Sequence, residues 1–526
     1  MRFFNTAGPV NCQDHYCLPP LSRFNLPEIL TLISQKKYFV LHAPRQSGKT
    51  SCLLALRDYL NSQNQHYGLY INVEMGQAAR EDVSSAIRAI ISGMQRRTEI
   101  TFPGIVSVDD IKQITLQNTP FDAIGVFFSL LSERLDKPFV LMIDEIDSLV
   151  GDTLISVLRQ IRAGYDTRPD HFPSSVILCG VRDIRDYRIH SEKNKSIITG
   201  GSAFNIKAES LRLGNFTEEE TRKLCLEHTK ETAQIFQEDA LKSIWSLTMG
   251  QPWLVNALAY EICFKIEEGK NRENPVTEDL VMEAKERLVQ RRETHLDQLV
   301  DKLKEERVRR VIEPMLIGEG SPETIPEDDI WYVEDLGLIT TRGQLRIANP
   351  IYQEIIPRIL TYSTQLTITK KPAWYINRAG KLEMNLLLTS FQQFFREHSE
   401  IWLDRFAYRE AGPQLLLQAF LQRIINGGGQ ITREYGLGMG RTDLFILWCL
   451  PDGMVQRFVI ECKVMWGSRE TTINKGLAQV TRYADRCGAD DVYLLIFDRE
   501  KKRTWDEKIF TETVEHEGMQ VTVFGM

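Results

Sequence analysis

The 526-residue sequence contains no CxxC pair, no internal repeat, no low-complexity tract and no apolar run long enough to cross a bilayer. Its nine cysteines are scattered, and the nearest pair, Cys12 and Cys17, has no His/Cys cluster beside it. That distribution predicts reduced thiols, with neither a zinc site nor a disulfide frame. The first residues, MRFFNTAGPVN, lack the apolar stretch of a secretory leader, so a cytoplasmic protein with no membrane partner is expected. An excess of positive charge is missing too. The net charge of −7 argues against a general nucleic-acid coat protein. The acidity belongs to the first 369 residues, because from Lys370 onward 21 Lys/Arg face 20 Asp/Glu. What is present is a globular composition, 43% hydrophobic and 26% charged, at a length suited to three or four domains.

The chain reads as α/β and multidomain. "KYFVLHAPRQSGKTSCLLALRDYL" gives strand, loop and amphipathic helix, and "YGLYINVEM", "KPFVLMIDEIDSL" and "SSVILCGVRD" give three more strands separated by helical patterns. Near-continuous apolar runs of this kind are those of a buried parallel sheet. The expected divisions are a parallel α/β core at 1–205, a helical lid at 206–300, a winged-helix-like module at 301–365 and a second α/β domain at 372–526. Thr217 with Glu220 forms a capping box at the start of the lid. In the third module, Asp328–Leu336 falls where a winged helix has its recognition helix, but its acids Asp328, Asp329, Glu334 and Asp335 suit protein packing better than phosphate contact. In the fourth, helices over 382–426 precede strands at 430–435, 441–449 and 456–465, a helix at 471–487 and a final strand at 491–497.

Two constellations carry chemistry. Ala43-Pro44-Arg45-Gln46-Ser47-Gly48-Lys49-Thr50, followed by Ser51, has P-loop spacing, with Ala43 in place of the usual first glycine. Its backbone N–H groups would cradle phosphates, Lys49 would reach the β/γ-phosphates and Thr50 would hold Mg²⁺. In "VLMIDEID", Asp144 would approach the Mg²⁺ and Glu145 would polarise the attacking water. This half resembles an AAA-type ATPase of the archaeal-ATPase or STAND-like group over residues 6–300. The resemblance implies ATP as cofactor, Tyr16 and Leu18 near the base, "GQPWLVNAL" in the lid, and Arg159, Arg162 or Arg182 serving the site, the first two from a neighbouring copy.

The second constellation lies in "RFVIECKV", residues 457–464. Residues two apart share a face of a strand, so Glu461 and Lys463 lie side by side in an apolar run. Burying such charges costs several kcal/mol in effective terms unless something compensates. Upstream, "GRTDLFILW" places Asp443 early in the preceding strand. The order Asp443, hairpin, Glu461-x-Lys463 resembles the PD-(D/E)xK nuclease superfamily, with "GRTD" where its proline stands. Gln479 and Tyr483, one turn apart, resemble the QxxxY motif of RecB-like members. The resemblance implies Mg²⁺ on Asp443, Glu461 and the Cys462 carbonyl, with Glu410 or Glu434 as an extra acid and Lys463 at the attacking water. The expectation is an ATP-controlled Mg²⁺-dependent nuclease, with DNA rather than RNA as substrate and a homo-oligomer among the candidate partners, in bacterial defence or mobile-element biology. The rivals are an ATP-binding switch whose nuclease-like domain only binds nucleic acid or a partner, and an ATP-driven DNA translocase or repair factor.

Overall fold

Alternate residues of four apolar strands face opposite helical layers. Tyr38, Val40, Leu141, Ile143, Val176 and Leu178 pack on one side, with the helices Val83–Thr101, Ala123–Arg134 and Gly151–Ala163. Phe39, Leu41, Val140, Met142, Ile177 and Cys179 pack on the other, with Leu26–Ser34 and Lys49–Ser62. Burial on both faces is what makes these strands apolar throughout. The computed structural model describes residues 1–63, 65–182, 188–190, 197–199, 206–290, 301–317, 325–343, 345–360, 375–377, 379–405, 417, 420–421, 429–437, 440–450, 452–465, 468–498, 500 and 503–526. Residues 361–374 lie outside them, as does most of the stretch after "GVR" at 180–182.

The chain divides into two compact units, Met1–Leu296 with Ile330–Tyr352, and Asp297–Asp329 with Gln353–Met526. The stretch 301–365 is therefore shared between units rather than forming a body of its own. The first unit holds a parallel five-stranded sheet in the order Tyr67–Asn72, Phe139–Asp144, Ser175–Gly180, Tyr38–His42, Lys207–Arg212. The last of these lies beyond residue 205, where the core was expected to end. Its sequence, KAESLR, is polar because it is an edge strand. Five helices follow between Glu218 and Gln290, the first capped by the reciprocal Thr217–Glu220 box. Later come the helix Glu327–Asp335 and a two-residue hairpin pairing Ile339–Thr340 with Arg346–Ile347.

In the second unit six strands form a mixed sheet, ordered Gly429–Leu437, Gly440–Cys449, Val455–Val464, Asp491–Phe497, Met519–Gly525, Phe510–His516. The first three strands are antiparallel neighbours. The helix Arg469–Cys487 then carries the chain back so that Asp491–Phe497 pairs parallel with Val455–Val464. Leu477, Val480 and Ala484 of that helix pack on Phe445, Val459, Leu494 and Ile496. Rings of the helix Met384–Arg405 take the opposite face, with Phe395 5.3 Å from Phe497. The strand at 491–497 is not the last, since the hairpin Phe510–His516/Met519–Gly525 extends the sheet.

One expectation is overturned near the start. Cys12 and Cys17 form a disulfide rather than remaining thiols. Asp14 and His15 both donate their N–H to the Asn11 carbonyl, and this turn brings the two Cα atoms to 5.5 Å, within bridging range. Spacing along the chain carried no sign of that turn.

Candidate functional site

The strand Tyr38–His42 runs into the loop Ala43–Gly48, and the helix Lys49–Ser62 starts at once. The first-turn N–H groups of a helix have no internal partners, so they face the loop as an anion site. Gln46 (φ 56°) and Gly48 (φ 93°) take left-handed conformations that bend the loop over it. Arg45 and Gln46 are exposed, whereas Ala43, Ser47 and Lys49 are buried. Lys49 Nζ donates to the carbonyls of Ala43 (2.9 Å) and Pro44 (3.0 Å), and Ser47 Oγ donates to Pro44 O at 2.7 Å. A phosphate in the loop would compete for that ammonium.

Asp144 ends its strand with no exposure at all. Its Oδ2 accepts from Thr50 Oγ1 at 2.6 Å and from Tyr70 OH at 3.0 Å, and its Oδ1 accepts from the Glu145 N–H at 3.0 Å. Tyr70 was not foreseen. It sits opposite Met142 in the register, two residues before Asp144 on the same face, and only strand pairing reveals that. Glu145 is held at φ 55°, a conformation that costs a non-glycine residue about 1–3 kcal/mol and persists where the surroundings over-determine it. Burial, and then the Asp147 charge, push its carboxyl above the ordinary range, against the opposing pull of Lys49. A carboxyl raised in this way suits a general base.

Beside the loop lies a cavity of about 130 Å³ whose lining includes Tyr16, Leu18, Arg23, Ser51, Phe216 and Trp253. Tyr16 and Leu18, the residues expected near the base, both line this cavity. Tyr16 itself is almost wholly buried, its hydroxyl 3.1 Å from His228 Nδ1. Trp253, in the lid, donates from Nε1 to Thr6 O at 2.9 Å, and the Val10 N–H donates to Ser51 Oγ at 2.9 Å, so the N-terminal segment is tied to both lid and P-loop helix. Arg23 was missed by the sequence reading. Its Nη2 donates to Gly214 O at 2.7 Å, its guanidinium lies 4.2 Å from the Phe216 ring, and burial lowers its pKa. Arg159 and Arg162 are exposed on the helix Gly151–Ala163, whereas the Arg182 guanidinium lies 4.9 Å from the Tyr332 ring.

In the second unit Glu461 is fully buried, and Lys463 Nζ, on a side chain 22% exposed, donates to its Oε1 at 2.8 Å. Both are on the face of Val459, against the helix Arg469–Cys487. Gln479 and Tyr483 come from that helix, with Gln479 Nε2 3.4 Å from Tyr483 OH, and Tyr483 packs in the same cluster as Val459. The register places Leu444 opposite Ile460, so the backbone of Asp443 arrives beside that of Glu461. Glu434 lies on the strand before it. Glu410 is outside the described residues. Among the described residues no three His, Cys, Asp or Glu side chains cluster as a metal site.

A parallel sheet with a P-loop at one strand end, and a buried acid followed by a carboxyl of raised pKa at another, defines an AAA-like P-loop ATPase, a fold that supports ATP binding and hydrolysis. A model of the AAA-like domain family matches residues 29–355, more than half of the sequence, and the chain belongs to that family. Among solved structures, the Walker-type ATPase of Pyrococcus abyssi is similar at 15% identity over 67% of this chain and 99% of its own, with a TM-score of 0.46. Cdc6p from Pyrobaculum aerophilum is similar at 15% identity over 65% of this chain and 93% of its own, with a TM-score of 0.35. Drosophila ORC bound to DNA is similar at 11% identity over 73% of this chain and 80% of its own, also with a TM-score of 0.35. No curated protein matches the chain. Among the described residues, no helix is long and apolar enough to cross a membrane.

Proposed function

We propose that this protein is an ATP-controlled, Mg²⁺-dependent nuclease acting on DNA, with its ATPase in the first unit and a PD-(D/E)xK-type centre in the second. The observation that carries the reading is Glu461, a carboxylate with no exposure in the middle of an apolar strand, with the Lys463 ammonium 2.8 Å away. A buried acid is costly unless chemistry or a metal compensates it, and Asp443 enters from the adjoining strand. The segment around Asp328–Leu336 is read as a winged-helix-like relay between the two activities. Bacterial defence or mobile-element biology is the setting that suits an ATPase joined to a nuclease.

The donors present in the ATPase site fit Mg²⁺. The Thr50 hydroxyl and the Asp144 carboxylate, 2.6 Å apart, make an oxygen donor set of the kind Mg²⁺ prefers. In the second unit Asp443, Glu461 and the Cys462 carbonyl would hold it, with Glu410 or Glu434 adding a further acid. Bound there, the ion supplies Lewis-acid stabilisation of charge on the scissile phosphate. Lys463 orients the attacking water and neutralises developing negative charge. Gln479 and Tyr483 are read as residues lining that site, as the QxxxY resemblance implies.

Purified protein with linear and plasmid DNA, with Mg²⁺ and ATP each added or omitted, tests the reading. Cleavage is expected only with Mg²⁺ and is expected to change with ATP. Intact DNA under every combination would remove the nuclease assignment. For the ATPase, Arg159 or Arg162 is read as reaching the site of a second copy. ATPase activity per molecule should then rise with protein concentration, and a strictly constant value would exclude that role.

A further inference from the structure

One short stretch, Tyr332–Thr341, lies against the carboxyl ends of three adjacent strands of the ATPase sheet. At the P-loop strand, His42 Nδ1 is 3.5 Å from Asp335 Oδ1, both side chains 11% exposed. At the edge strand, Arg212 donates from Nη2 to the Glu334 carbonyl at 2.8 Å, and its Nη1 is 3.3 Å from Glu334 Oε1. Glu334 in turn accepts from Thr341 Oγ1 at 2.9 Å, which closes the stretch on itself. Beyond the third strand, the Arg182 guanidinium meets the Tyr332 ring. Carboxyl ends of parallel strands are where such sheets hold their ligands. This acidic segment is thus spent on the nucleotide end of the ATPase rather than presented to nucleic acid.

The contact that matters most falls on Pro44, inside the P-loop. Gly337 has φ +79°, and a Cβ there would stand 2.7 Å from Pro44 Cγ and 2.8 Å from its Cβ, so the backbone lies directly on the proline ring. The same proline gives its carbonyl to Lys49 Nζ and Ser47 Oγ. One residue is therefore held from two sides, by the docked segment on its ring and by the catalytic lysine on its carbonyl. A triphosphate draws Lys49 towards the β/γ-phosphates. Pro44 then loses a charge-assisted partner and its peptide is released to turn beneath Gly337, where there is no room to spare.

We infer that Asp335 and Gly337 are positioning residues of the nucleotide site, holding the P-loop in the arrangement in which Lys49 bonds to its own loop, so that docking of Tyr332–Thr341 and binding of a triphosphate oppose each other. Coupling between two binding events is reciprocal, so whatever weakens the docking tightens the nucleotide. The segment is continuous with the second unit on both sides, through Asp329 and Gln353, which gives its release a route to the rest of the chain. The inference rests on the ATPase assignment alone and holds whether or not the second unit cuts DNA.

The test uses the full chain and a slowly hydrolysed ATP analogue. Asp335→Ala and Gly337→Ala should lower its Kd by about fivefold, the low end of typical coupling between sites. Asp335→Asn, which keeps an oxygen facing His42, should stay within about twofold of wild type. In steady-state ATP hydrolysis the fall should appear in KM while kcat is kept, a split that a merely structural role would not produce. In the unmodified protein, amide hydrogen exchange over 332–341 should quicken when the analogue is saturating, and should not change in Lys49→Ala. Unchanged or weaker binding by the alanine variants overturns the inference. So does exchange over 332–341 that is indifferent to the analogue, and this second measurement decides the matter if the variants fail to fold.

Discussion

Glu461→Ala is expected to abolish DNA cleavage, keep ATPase activity, and leave the melting temperature in chelator within a few degrees of the original. Lys463→Ala is expected to abolish cleavage too, but to melt well below wild type in chelator and to recover with Mg²⁺. The asymmetry follows from which charge each change leaves behind. Glu461 has no exposure, whereas the Lys463 side chain is 22% exposed. Removing Glu461 deletes the buried charge and frees an ammonium that can turn to water. Removing Lys463 strands the carboxylate, and breaking a buried pair that way costs about 3–5 kcal/mol, roughly 6–20 °C for a domain of this size. A divalent cation on Glu461 and Asp443 would offset that loss. Mg²⁺ should therefore raise the melting temperature of wild type and more so of Lys463→Ala, while Glu461→Ala responds little. Calorimetry with and without metal reads all three. If Glu461→Ala is the variant that collapses and Mg²⁺ shifts none of them, the pair is structural and the second unit is a binding module.

What was legible in the sequence was local. A P-loop is eight consecutive residues whose conformation is set by its own strand and helix, so Lys49 and Thr50 could be read directly. The pairing of Glu461 with Lys463 needed only the two-residue period of a strand. Asp144 was marked by the apolar run it terminates. What escaped depended on pairing between distant segments. Tyr70 reaches Asp144 only because Tyr67–Asn72 pairs in register with Phe139–Asp144. Arg23 joins the cavity through a contact 191 residues away along the chain. The strand Lys207–Arg212 has no apolar signature because it closes the sheet edge, and the Cys12–Cys17 bridge depends on a turn that no spacing rule marks. The acids of 328–335 were read as packing residues from composition alone. That Asp335 meets the end of the P-loop strand, and Glu334 the edge strand beside it, is a tertiary fact.

Lys49→Ala and Glu145→Gln should both stop ATP hydrolysis, and they should do so at different steps. Lys49 is the buried ammonium of the loop, and its present acceptors, the Ala43 and Pro44 carbonyls, are on the loop itself. Without it, phosphate charge in a partly desolvated site loses its principal counter-charge, a loss of the kind that costs about 10²–10³ in kcat. Nucleotide binding should fall with it. Glu145→Gln leaves Asp144 its bonds from Thr50 and Tyr70, so nucleotide should bind as before. The amide cannot accept a proton, and loss of a general base typically costs about 10²–10⁴ in rate. A pH profile separates this from a structural effect. The base acts only when ionised, and burial raises the Glu145 carboxyl above its ordinary value, so wild-type hydrolysis should fall on acidification sooner than an ordinary carboxylate would allow. The residual activity of Glu145→Gln should lack that acid limb. Fluorescent-nucleotide titration alongside phosphate release across pH makes both measurements. Undiminished hydrolysis by Glu145→Gln would transfer the role of base to another group, with Asp147 next in line.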